Sequence, residues 1–262
     1  MSANHDAPFS VKKKVFEAAF SSAILYGCET WLKVPLKPVE TLYMTGVKTM
    51  LGVRTTTPNL MCLLEAGLPS VQAMIREKQA KFLRRMGTRQ GMPDDPLWFA
   101  LEMTKQENRV MNSHMEQVMN VLDHISTDKE ELMERVRSNE GSKYRTYCEL
   151  NPELSVHPLY ANSRIIIEDS LRITFTRFRL SSHRLRVEIG RWSRTPREQR
   201  LCWCGTGIQD EQHLLLCPQT QEIRDSFHFH STDLCDLFHN MDKKRLCMLS
   251  KSLAILEREH TS

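Results

Sequence analysis

Glycine and proline are scarce, 10 and 11 residues in a chain of 262, about 8% together where about 12% is usual. That shortage removes the turn chemistry that a β-sandwich or barrel needs at its strand ends, and a mainly α fold is the expectation. Long apolar runs are missing too. None approaches the ~18 residues of a membrane helix, and Met1–Ser10 lacks the apolar centre of a secretory signal. We therefore expect an intracellular protein, nuclear or cytoplasmic, with no membrane contact. Neither sign of charge dominates: 36 Lys+Arg face 32 Asp+Glu, and 40% of residues are hydrophobic, the balance of a globular chain. Eight cysteines in a chain this long without a signal do not argue for a disulfide framework. They lie far apart at 28, 62 and 148 and then cluster at 202, 204, 217, 235 and 247, which points to a metal.

The first ninety residues read as punctuated helices. Apolar spacing at Val11, Val15, Ala18, Ala19, Ser22 and Tyr26 marks one face of a helix ending at Gly27. A second helix fits Val39–Leu51, using Leu42, Tyr43, Val47 and Met50 and stopping at Gly52. Thr57 caps a third, with Pro58 at its first position, Asn59–Ala66 as its body and Gly67 as its terminator. Ser70 opens a fourth, with the stripe Val71, Met74, Ile75, Lys78, Phe82 and Met86 and an end at Gly87. Its charged face, Arg76, Lys78, Lys81, Arg84 and Arg85 with Arg89 beyond, is either simply solvated or a phosphate-contacting surface.

Within this region Leu25-Tyr-Gly-Cys-Glu-Thr-Trp31 resembles the Leu-Tyr-Gly-x-Glu-x-Trp signature that follows the polymerase core in reverse transcriptases of non-LTR (LINE-type) retrotransposons. Val47-Lys-Thr-Met-Leu-Gly-Val-Arg-Thr-Thr-Thr-Pro-Asn59 and Leu64-Glu-Ala-Gly-Leu-Pro69 are similar to the helical thumb of those enzymes. These stretches agree in order and spacing within Leu25–Pro69.

The middle of the chain is chemically quiet. Gly87–Pro96 reads as a connection between lobes. Its Asp94–Asp95 pair sits in Met-Pro-Asp-Asp-Pro, without the hydrophobic strands that place a polymerase's metal-binding carboxylates. Leu97–Ile125 reads as a long helix whose methionines at 103, 111, 115 and 119 fill core space. Asp128 is expected to cap a helix running to about Cys148, and Asn151–Pro158 to break it. His114, His124 and His157 have no partner at useful spacing.

From Arg164 to Arg200 the chain holds ten arginines, four acids and no lysine. Arg172, Arg179 and Arg186 recur every seven residues, as do Arg177, Arg184 and Arg191. On a helix, expected from Asn162 to about Leu180, these two rails would border an apolar stripe of Leu171, Phe175, Phe178 and Leu185. The conformation of Arg184–Ile189 stays open, because its alternation also suits a strand. Guanidinium groups bind phosphates bidentately and stack on bases, so the rails are candidate RNA or DNA contacts, with Trp192 and Phe178 as candidate base stackers. The competing reading is ion pairing to acidic helices such as Glu130–Glu134.

Directly after this arm, Cys202, Cys204, His213 and Cys217 spell C-x-C-x8-H-x3-C. Three sulfurs and a nitrogen suit a closed tetrahedral zinc site. Gly205 would relieve a tight knuckle, and Asp210 would cap a short helix projecting His213 and Cys217 from one face. Reduced cysteines in a small core remain the alternative, and Cys235, Cys247, His228 and His230 are possible substitute ligands.

Arg177-Phe-Arg-Leu-Ser-Ser-His-Arg-Leu185, Gly190-Arg-Trp192, Arg200-x-Cys-x-Cys-Gly205 and Asp210-Glu-Gln-His-Leu-Leu-Leu-Cys-Pro218 are in turn similar to the cysteine/histidine-bearing C-terminal region of LINE-type proteins. On that resemblance Cys202, Cys204, His213 and Cys217 carry over as zinc ligands. The resemblance covers both ends of the chain, and it implies a thumb-like helical region over 1–90, a helical connector over 91–160 and an arginine-rich, zinc-binding region over 161–262. It includes no palm, fingers or endonuclease motif. The expected function is therefore non-catalytic RNA or DNA binding by a remnant or derivative of such an enzyme. The alternative is a helical protein-interaction module whose zinc is purely structural.

Overall fold

The computed structural model describes residues 7–31, 35–87, 96, 109–162, 167–239 and 241–258. Asp94, Asp95, Arg89 and the first half of the expected 97–125 helix lie outside the described residues. Within them the fold is mainly helical. Among the described residues the extended backbone pairs only in an isolated antiparallel bridge between Leu201 and Ile208, and no described helix is long and apolar enough to cross a membrane.

The first helix, α1 (Phe9–Val15), continues through a π-helical stretch, Phe16–Ser21, into α2 (Ser22–Ile24). The face expected to be buried is the outer one: Val11, Val15 and Tyr26 are exposed, and Phe9, Phe16 and Leu25 are buried instead. Burial follows the larger aromatic side chains, and the extra residue per turn in a π segment breaks the 3.6-residue count on which the expected stripe rests. In α3 (Leu36–Leu51), Gly46 lets the rings of Phe16 and Phe20 approach so closely that a β-carbon would stand 2.8 Å from each. This helix ends as expected at a left-handed Gly52 (φ 74°).

Helix α4 (Asn59–Ala66) also ends at its expected glycine, Gly67 (φ 62°). Thr57 does not cap it; its hydroxyl donates to Ser182 Oγ at 3.2 Å. Ser70 does open α5 (Val71–Gly87), accepting from the Ala73 N–H. Next come α6 (Arg109–Met119), α7 (His124–Arg137) and α8 (Ser142–Leu150). Asp123, not Asp128, caps α7, accepting from the N–H groups of Ile125 and Ser126. Asp128 is taken by Ser70, which donates to it from both N–H and hydroxyl. The single helix expected over 128–148 is thus two.

His157 accepts the Leu159 N–H on Nδ1, capping the one-turn α9 (Pro158–Ala161), and lies 3.4 Å from the Phe238 carbonyl through Nε2. Burial, helped by the charge of Arg179, holds its pKa down to about 4, which keeps the capping nitrogen unprotonated at neutral pH. The expected 162–180 helix is α10 (Asp169–Arg179), and the open stretch is helical as α11 (Arg186–Trp192). The chain closes with α12 (His213–Leu216), α13 (Gln221–Ser226), α14 (Leu234–His239) and α15 (Lys243–Glu257).

One hydrophobic core runs from Phe9 to Leu256 and takes residues from all three expected segments. Helix α10 lies at its centre, with Phe175 and Phe178 fully buried and both packed on Phe238. Arg179 sits there too, fully buried. Its Nε and Nη2 donate to Glu65 of α4 at 2.7 and 3.0 Å, and its Nη1 donates to the Leu150 carbonyl at 3.3 Å. The Tyr147 hydroxyl donates to the same carboxylate at 3.0 Å. Arg172, two helical turns earlier, pairs with Asp169 and donates to the Met50 and Leu51 carbonyls, satisfying the C-terminal end of α3.

Removing one member of a buried pair leaves the other charge uncompensated, at a cost of about 3–5 kcal/mol. Arg179→Met is expected to destabilise the chain by that amount in urea denaturation. Adding Glu65→Gln should recover most of the loss, since glutamine still accepts from Tyr147 without a charge. A double variant no more stable than Arg179→Met would contradict the account.

Candidate metal centre

The backbone between Arg200 and Gln209 turns back on itself. The Cys202 N–H donates to the Gly207 carbonyl at 2.8 Å, the Gly205 N–H to Cys202 at 2.9 Å and the Gln209 N–H to Arg200 at 2.9 Å. Gly205 makes the turn in the left-handed region (φ 77°), where a side chain would be strained. This knuckle brings Cys202 and Cys204 to one side. The opposite side is α12, whose start is set as expected: Asp210 Oδ1 accepts the His213 N–H at 3.0 Å. The Cys217 N–H closes a turn on His213 at 2.8 Å.

The result is a group of four ligand atoms, from Cys202, Cys204, His213 and Cys217, all within 4.8 Å of one another, which could hold a metal ion. Cys202 and Cys217 Sγ are 3.9 Å apart, and Cys204 Sγ is 3.2 Å from His213 Nε2. A tetrahedral ion with metal–sulfur bonds of about 2.3 Å has sulfur–sulfur edges of about 3.8 Å. The Cys202–Cys217 edge matches that size, and the other two ligands lie close enough to complete the tetrahedron with small side-chain shifts. Cys235, Cys247, His228 and His230 do not join it among the described residues.

The thiols are unequal. Burial tends to raise the Cys204 pKa, but hydrogen bonds from Thr206, Cys202 and His213 outweigh it and bring the thiol down to about 6. Burial pushes Cys202 up to about 12 and raises Cys217. One thiolate is thus ready at neutral pH, and a bound cation would draw out the others.

Several residues that spacing did not single out tie this group to the rest of the chain. Gln209 is fully buried. Its side chain donates to the Leu256 carbonyl of α15 at 3.1 Å and accepts the Arg186 N–H at 2.8 Å, while its own carbonyl accepts the Val187 N–H at 3.0 Å. Arg200 donates to the Val187 carbonyl at 2.8 Å and to Thr195, passing so close to Gly190 that a β-carbon there would lie 2.6 Å from its Nε. Glu211 pairs with His183 at 3.0 Å and accepts from Ser181 at 3.3 Å. Burial would raise its pKa, but His183 outweighs it and holds the carboxyl at about 2. Arg224 donates to the carbonyls of Leu214 and Cys217 at 3.2 and 3.1 Å. The knuckle is therefore bolted to α11 and α15.

Six arginines were expected to face phosphates, and the structure divides them. Arg172 and Arg179 do not face solvent: both are buried, and their donors are spent on Asp169, Glu65 and backbone carbonyls. Arg191 is half-buried, paired with Glu188 at 2.9 Å and bonded to Ser142 at 2.8 Å, while Arg186 is half-buried at the start of α11. Arg177 and Arg184 are exposed. Of the two candidate stackers, Phe178 is fully buried against Phe238 and His183, whereas Trp192 is 54% exposed. On α5, Arg84 is occupied with the Val121 and Leu122 carbonyls, and Lys81 pairs with Glu77.

Comparison with family models, curated proteins and solved structures returns no match.

Elemental analysis of the purified chain should find one metal ion per molecule. Cys204→Ser and Cys217→Ser should each reduce that content to background. A fully folded, metal-free chain, or unchanged metal in both variants, would sink the assignment.

Proposed function

We propose that this chain is a non-catalytic nucleic-acid-binding protein related to the thumb and C-terminal region of non-LTR reverse transcriptases, with a zinc ion closing its knuckle. Three thiolates and one imidazole are a zinc donor set, and four protein ligands leave no open position for catalysis. The ion's role in this reading is to hold α11 and the arginine-bearing surface in place. The reading assigns no polymerase or nuclease chemistry to the chain.

The observation that carries it is the behaviour of the exposed arginines. Arg177 lies on α10 and Arg184 on the turn after it, and Arg54 joins them from the loop after α3. Arg54 and Arg177 line one concavity; burial lowers the Arg54 pKa, and the charges of Arg184 and Arg177 lower it further against the opposing charges of Glu188 and Glu257. Like charges repel, so such a gathering is a standing cost that an anion relieves. RNA and DNA supply that anion as a row of phosphates.

One observation favours the alternative, a protein-interaction module with a structural zinc. Arg172, Arg179 and Arg191 are neutralised internally by Asp169, Glu65 and Glu188, so much of the arginine excess serves the fold.

Salt dependence separates the two. Affinity for single-stranded RNA or DNA should fall steeply with salt, with a log–log slope of about −0.7 per phosphate contacted. Arg177→Ala with Arg184→Ala should weaken binding and flatten that slope by about 1.4. A folded chain that binds neither nucleic acid, or binds independently of salt, would hand the argument to the protein-interaction reading.

A further inference from the structure

The loop after α3 and the end of α11 border an open concavity of about 570 Å³, lined by Val53, Arg54, Thr55, Thr56, Arg177 and Trp192. A tryptophan that is half-exposed on a helix end forgoes burial that the core would reward. The Arg54 guanidinium lies 4.2 Å from the centre of its ring, so the exposed ring already belongs to a cation-stacked surface.

That surface is held rigidly. Gly52 is left-handed and packs so tightly on Ile173 that a β-carbon would come within 2.7 Å. The Arg54 N–H donates to Ser182 Oγ at 3.1 Å, the Lys48 ammonium to the Thr55 carbonyl at 2.6 Å and Arg177 Nε to the Gly52 carbonyl at 2.7 Å. On the other side, Arg200 and Gln209 fix α11 to the knuckle. The ordering cost that a flexible loop would incur on binding is largely met before the ligand arrives.

Charge and shape then restrict the ligand. Arg54, Arg177 and Arg184 bring three positive charges. Of the nearby acids, Glu188 is buried against Lys143 and Arg191, and Glu257, whose carboxylate accepts the Arg184 backbone N–H at 2.6 Å, offsets part of that charge and leaves a net positive surface. A flat π-face beside cations suits a group that is itself planar and linked to an anion. A nucleotide has both parts. In a duplex its base is stacked inside the helix and cannot reach a side chain on a protein surface, so the nucleotide must be unpaired.

We infer that this concavity seats one unpaired nucleotide of a single strand, its base against the exposed Arg54–Trp192 stack and its flanking phosphates on Arg177 and Arg184. The inference rests on the nucleic-acid-binding reading and adds to it where a base, and not only a backbone, is held.

An abasic strand tests it, because it keeps the phosphates and removes the bases. Fluorescence anisotropy of the full chain would compare oligothymidylate of about twelve nucleotides, within the usual footprint of single-strand binders, with an abasic backbone of equal length. The wild type should bind the thymidylate about 5–150-fold more tightly, the range for stacking one base. Trp192→Ala should lower thymidylate affinity to the abasic level and leave abasic affinity unchanged, and Trp192→Phe should restore most of the preference. Equal, salt-sensitive binding of both strands by the wild type would overturn the base seat while nucleic-acid binding stands. So would a Trp192→Ala chain that keeps the preference. Failure to bind either strand would remove both readings.

Discussion

A buried carboxylate and a buried guanidinium, Glu65 and Arg179, set the geometry of this molecule. Two charges taken out of water lose several kcal/mol of solvation each, and their attraction repays this only when the geometry is bidentate and the remaining polar atoms are satisfied. Here both conditions are met by three helices: α4 supplies the acid, α10 the base, and α8 both a second donor, Tyr147, and a carbonyl, Leu150. These elements must arrive together, so the pair fixes the rotation of α10 about its own axis.

That rotation decides which arginines reach solvent. Residues seven apart on a helix lie nearly above one another, and residues two apart lie on nearly opposite sides. With Arg179 turned inward, Arg172 is turned inward as well, where it terminates α3, and Arg177 is turned out. The outward arginine then stands against the loop after α3, whose Gly52 carbonyl it contacts. A second fixed point, the Cys202, Cys204, His213 and Cys217 group, acts through Gln209 and Arg200 on α11 and so on Trp192. The exposed arginines and the exposed tryptophan meet because a buried ion pair holds one side and a ligand cage holds the other.

How much of this was legible in the sequence depended on how local the determinants are. The cage was readable because its ligands lie within sixteen residues and Asp210, Gly205 and a one-turn helix suffice to converge them. The ends of α3 and α4 were readable because Gly52 and Gly67 act alone. The arginine rails misled because periodicity gives a common face but not which face is buried. The acid that decides it, Glu65, is 114 residues away from Arg179. Asp123 and Asp128 were confused for the same reason, since Asp128 is claimed by Ser70 from 58 residues away. The stripe on α1 failed because a π-helical segment changes the period that the count assumed. The three segments read from the sequence share a single core, and their common helix, α10, offers no local sign that it is central.

Hydrogen exchange with and without a metal chelator tests the claim that the ligand cage positions the arginine–tryptophan surface. Local openings involve contiguous cooperative units, and an element tied to a unit opens with it. The account predicts that chelation exposes the amides of 202–217 together with those of α11, including Val187, whose N–H is bonded to Gln209, while α4 and α10 keep their protection. Loss of protection confined to 202–217, with α11 unchanged, would show that the metal centre and the arginine–tryptophan surface are independent and would contradict it.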